Sequence, residues 1–83
     1  MLRVGQLTHL QGRVFATVVN YGGDRPLELI DRVRRQSDGA VWTVQLEDGP
    51  VAYSENGVVV GDLVGLFVEG DAVLEEGDEL SPV

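Results

Sequence analysis

Six carboxylates fall within eleven residues near the C-terminus: Glu69, Asp71, Glu75, Glu76, Asp78 and Glu79, in the stretch VEGDAVLEEGDEL (68–80). Hard oxygen ligands in that number suit Ca²⁺, which takes roughly 6–8 of them. The spacing does not match an EF-hand loop, and carboxylates on a strand alternate between its two faces. Glu69, Asp71, Glu75, Glu76 and Asp78 are therefore weak metal candidates, and a solvated acidic edge that discourages strand-to-strand aggregation is the favoured reading. The opposite chemistry sits in Arg32-Val33-Arg34-Arg35. Guanidinium groups offer a bidentate fork for carboxylate or phosphate, so Arg32, Arg34 and Arg35 are candidate docking residues. Tyr21 and Tyr53 are candidate interface anchors beside them, whereas a lone Trp42 in so small a domain is expected in the core.

Catalytic constellations are missing. His9 is the only histidine and there is no cysteine, so one chain cannot form a multi-His or thiolate metal site. Ser37, Ser54 and Ser81 have no histidine nearby in sequence, and no phosphate loop, dinucleotide fingerprint or Gly-x-Ser-x-Gly is present. Enzyme function is not expected, and His9 reads as a rim or surface residue. No cofactor is called for.

The two Gly-Asp turns need their own account. Val68-Glu69-Gly70-Asp71-Ala72-Val73 and Gly77-Asp78-Glu79-Leu80 resemble the hairpin of biotinyl and lipoyl carrier domains. That resemblance implies a barrel-like turn geometry. It also implies a cofactor-bearing lysine, and this chain has no lysine at all; the spacer is one residue longer as well. A carrier role is excluded on that ground, and the two turns read as structural, since Gly accepts the backbone a tight turn needs and Asp caps neighbouring amides.

The elements that must position these residues are strands. Val supplies 15 of 83 residues and Ala only 4, a bias toward pleated surfaces. Val4–Leu10 and Arg13–Asn20 read as strands. Residues 26–36 are ambiguous: Asp24 could cap a short helix, with Glu28–Arg32 and Asp31–Arg35 at i,i+4, or the segment could pair with AVWTVQL across Ser37-Asp38-Gly39. Strand is preferred. Trp42, Val44 and Leu46 share one face; Glu47-Asp48-Gly49 is expected to turn the chain, and Asn56-Gly57 is a strong two-residue hairpin signal. The expectation is all-β: one domain over 1–83, a closed or partly open barrel of five to seven strands, because closure removes exposed edges.

Charge is segregated along the chain. Residues 1–37 hold all six arginines against Asp24, Glu28 and Asp31, while residues 38–83 hold eleven acids and no base. Direct nucleic-acid binding and anionic membranes are disfavoured, since both draw affinity from Lys and Arg. No apolar run approaches the about 18 residues of a membrane span, and the N-terminus lacks the roughly 7–15-residue apolar core of a signal peptide. A cytoplasmic or within-particle setting is expected. A domain this small buries only about 60% of its unfolded surface, which favours association. The leading functional expectation is a non-enzymatic protein-interaction module, a homo-oligomer or accessory of a ring, shell or virus particle, registered by charge. Two alternatives remain open: an acidic decoy for a basic nucleic-acid-binding protein, and a small-ligand or cation-binding barrel.

Overall fold

A computed structural model describes residues 1–83. Six strands form in chain order: β1 (Leu2–Leu10), β2 (Arg13–Asn20), β3 (Ile30–Arg35), β4 (Val41–Glu55), β5 (Val58–Glu69) and β6 (Glu79–Pro82). They close into a barrel in the spatial order β1-β2-β5-β4-β3-β6, with β6 returning to β1 and every pairing antiparallel. The all-β closed barrel expected from composition is the observed architecture.

Period-2 alternation decides what lies inside. On β2, Ala16 and Val18 point inward while Arg13, Phe15 and Thr17 point out; on β4, Trp42 and Val44 point in and Thr43 and Gln45 out. The interior is a single cluster of aliphatic residues around Trp42, including Leu2, Val18, Val33, Leu66 and Leu80. Fully burying each such side chain contributes roughly 1.5–3 kcal/mol. No buried polar side-chain atom lacks a partner.

Residues 26–36 form no helix. Residues 30–35 are β3, paired to β4 from Ile30↔Gln45 to Arg34↔Val41. The helix alternative fails because Asp31 and Val33 are both buried while Ile30, Arg32 and Arg34 are exposed, a spacing that only a strand turns to one side. Glu47-Asp48-Gly49 is a second correction. It makes no chain reversal: β4 runs through it to Glu55, and the register slips between Leu46 and Asp48 and between Asp48 and Val51. Those extra residues are bulges, which bend a strand without ending it. The reversal comes at Asn56-Gly57, where φ of 52° and 77° fit the type I′ turn that matches strand twist.

The two ends differ. Residues 70–78 between β5 and β6 fold over one end and insert Leu74 into the core; we call this segment the plug. At the other end β4 and β5 outrun their neighbours. Pairing of β5 with β2 stops at Asn20↔Asp62 and pairing of β4 with β3 stops at Ile30↔Gln45. Residues 54–60 therefore pair only with each other, as an arm.

Candidate functional site: an outer-wall groove and its unpaired arginines

Aligned registers bring one outward row across four strands: Ile30 (β3), Gln45 (β4), Phe67 (β5) and Phe15 (β2). The next row places Arg32, Thr43 and Glu69 side by side, and Arg13 follows on β2. Between these rows runs a shallow groove of about 360 Å³, lined by Arg13, Ile30, Thr43, Gln45, Phe67 and Glu69. Phe15 and Phe67 meet edge to face with ring centroids 5.3 Å apart, and the Arg13 guanidinium lies 3.8 Å from the Phe67 centroid. That stacking holds Arg13 over the groove and leaves its edge donors free. The aromatic pair depends on Gly65, since a Cβ there would stand 2.5 Å from the Phe15 ring. Ile30 is 65% exposed.

The three arginines of the 32–35 cluster have different fates. Arg32 and Arg34 point outward from β3, are exposed, and their guanidinium groups touch no carboxylate. Arg35 turns to the plug. Its Nε and Nη2 donate to the two Asp38 carboxylate oxygens at 2.9 and 2.7 Å, and its Nη1 donates to Asp78 Oδ2 and to the Val73 carbonyl, both at 2.8 Å. The same guanidinium sits 5.0 Å from the Trp42 ring centroid. The Arg35 fork holds the Asp38 carboxyl down at about 2, with a backbone hydrogen bond from Ala40 adding to it, and Asp38 and Asp78 in turn push the Arg35 pKa up. Arg35 thus spends its donors inside the chain, whereas Arg32 and Arg34 keep theirs.

Two further arginines are committed. Arg25 grips the buried Asp31 with two bonds of 2.6 and 2.7 Å, and Asp31 also accepts the Glu28 and Arg32 amides. Those hydrogen bonds, Arg25 first, hold the Asp31 carboxyl well below the usual carboxylate range against the opposing effect of its burial. Arg3 pairs loosely with Glu79 at 3.5 Å. Arg13, Arg32 and Arg34 are left as the cations without an acidic partner, all on the outer wall.

The acidic candidates do not converge. No group of three carboxylate or imidazole side chains gathers anywhere in the chain. Asp78 turns inward to Arg35 and to the Glu75 amide, at 2.8 and 2.9 Å. Asp71, Glu75 and Glu76 stand exposed on the plug without a cation partner, and Glu69 lies in the groove. Tyr21 and Tyr53 are half-buried at the base of the arm, where the Tyr21 hydroxyl donates to Glu55 at 3.2 Å. Desolvation first, then that carboxylate, raises the Tyr21 pKa. His9 lies at the barrel rim, beside a small apolar recess between Trp42 and the plug.

Sequence reasoning passed over Arg13, Ile30 and Phe67. Phe67 and Arg13 look unremarkable in sequence; only the β2–β5 register brings them together. The signal within reach was alternation: Phe67 falls out of phase with Val64, Leu66 and Val68, which marks it as an outward aromatic.

The site is thus the outer wall of a closed six-stranded antiparallel barrel, cationic and aromatic around a shallow groove. Comparison with protein-family models, with curated proteins and with solved structures gives no match.

Proposed function

We propose that the protein is a non-enzymatic interaction module that associates with copies of itself, as a subunit of a ring- or shell-type assembly registered by charge. One observation carries the reading: exposed charges of opposite sign are left unpaired on different parts of one barrel. Arg13, Arg32 and Arg34 have no carboxylate partner on the outer wall, while Asp71, Glu75 and Glu76 have no cation partner on the plug. Within one molecule they do not neutralise each other; between two copies they would. The wall also has the composition of an interface centre, with Arg and aromatic side chains enriched and Lys absent. Opposite patches at different places on one body give a heterologous contact, which closes as a ring or runs on as a filament.

The test is molar mass by light scattering behind size exclusion, for the natural chain and for Arg32→Glu/Arg34→Glu. A discrete oligomer at low salt should loosen near 1 M salt, where screening shortens from about 10 Å at 0.1 M to about 3 Å. The double variant should elute as a monomer at every salt concentration. A natural chain that stays at its 9.0 kDa monomer mass, or a double variant that assembles unchanged, refutes the reading.

A further inference from the structure

We infer that the arm of one copy seats in the outer-wall groove of the next. This rests on the self-association proposed above and adds a second contact to it: the arm's acids meet Arg13 and Arg32 at the groove, which leaves the plug's free acids to Arg34.

The arm presents what the groove lacks. Its tip carries Val58 and Val59, 61% and 64% exposed, on a two-stranded ribbon whose backbone pairs with nothing else beyond Asp62. Its charged residues near the tip and base are Glu55 and Asp62, and no base lies anywhere between residues 38 and 83. The groove offers the complement: Ile30 and Phe67 as apolar walls, with Arg13 at one side and Arg32 at the other. Glu69 lies between those two arginines in the outward row, so the rim keeps a net positive charge. Val58 and Val59 point to opposite sides of the ribbon, so whichever side meets the groove brings it one exposed valine. That valine gains by entering the groove, and the flanking acids gain by meeting arginines that have no acidic partner.

The groove has room for the tip. From Tyr53 to Asn56 the arm advances about 10 Å at about 3.3 Å per residue, less than the about 14 Å over which the groove crosses three strand spacings from β3 to β2. Arm and groove occupy different stretches of β4 and β5, residues 54–60 against 43–45 and 67–69. One copy can therefore give its arm to a neighbour and receive another arm at once, which is the heterologous contact a ring requires.

A mixing experiment decides the matter. Val58→Ser/Val59→Ser disables the arm and leaves the groove; Ile30→Asp spoils the groove with a charge that repels the arm and leaves the arm intact. Trp42 fluorescence and thermal melts first establish that both variants are folded. At a concentration where the natural chain is assembled, each variant alone should fall to monomer mass. Their equimolar mixture should rise to about twice that mass, because it contains one good arm and one good groove per pair and cannot propagate further. If either variant alone assembles like the natural chain, arm-in-groove contact is wrong while charge-registered assembly stands. If the mixture stays monomeric, a good arm does not meet a good groove, and the inference is overturned. A natural chain that is itself monomeric removes the underlying reading along with this one.

Discussion

The plug over one end of the barrel and the arm at the other are both short, acidic and edged with valine, yet they use their groups oppositely. In the plug the groups that face the barrel are consumed at home, while Asp71, Glu75 and Glu76 stay free on its outside. Asp78 binds Arg35 and the Glu75 amide, the Ala72 carbonyl accepts the Trp42 indole N–H at 2.9 Å, and Gly77 and Asp78 exchange backbone bonds with Val4. Leu74 then joins the core. The arm has only its own ladder and the single Tyr21–Glu55 bond. Groups paired across to the barrel close a fold; a ribbon paired only with itself braces nothing and is available to a second molecule. That contrast predicts large stability effects at the plug and small ones at the arm.

The largest effect should come from Trp42, which is 2% exposed and roofs the core beneath the plug. Trp42→Ala leaves a cavity and frees the Ala72 carbonyl, and should cost about 3–5 kcal/mol. That is a large share of the about 5–15 kcal/mol that holds a typical domain together. Trp42→Phe keeps most of the ring and loses the indole N–H, and should cost about 1–2 kcal/mol. Chemical denaturation followed by circular dichroism reads both, and equal losses would show that the bond to the plug, not volume, is what matters there.

A middle-sized effect separates two neighbours in sequence. Arg35→Ala removes the fork that ties Asp38 and Asp78 together and uncovers the Trp42 ring, so its melting temperature should drop clearly below that of the natural chain. Arg34→Ala, one residue away but facing solvent with no partner, should melt with the natural chain at concentrations where both are monomeric. The carboxyl titration is a second readout: Asp38, held at about 2, should return toward the ordinary value of about 4 in Arg35→Ala and stay low in Arg34→Ala. If both variants titrate alike, Arg35 is not the group that holds Asp38 down.

Much of the barrel was legible before the fold was seen, and the parts that were not share a cause. Asn56-Gly57 announces its hairpin because a type I′ turn needs positive φ at both residues. Trp42-Thr43-Val44-Gln45 announces its inner face by strict alternation. Glu47-Asp48-Gly49 misled because turn-forming residues also build bulges, and local composition cannot tell whether the chain reverses or only bends. The division of the arginine cluster was hidden for a different reason. Alternation along β3 puts Arg32 and Arg34 on one face, but what Arg35 meets depends on Asp78, 43 residues away. The groove was hidden likewise, since Arg13, Ile30 and Phe67 become neighbours only through register.

The smallest stability effect should be at the arm, and it is the one that tests the contrast most directly. Val58→Ser/Val59→Ser changes two side chains that are already mostly in water, on a ribbon that braces no other strand. Surface substitutions of that kind stay within about 0.5 kcal/mol, with a small further loss because Ser fits a pleated surface less well than Val. Denaturant midpoints should therefore nearly coincide with the natural chain at concentrations where both are monomeric. At higher concentrations only the natural chain should gain stability, because association with the folded form adds to it by mass action. A large loss in the monomer would mean that the arm braces the barrel after all, and the two ends would then differ in degree and not in kind.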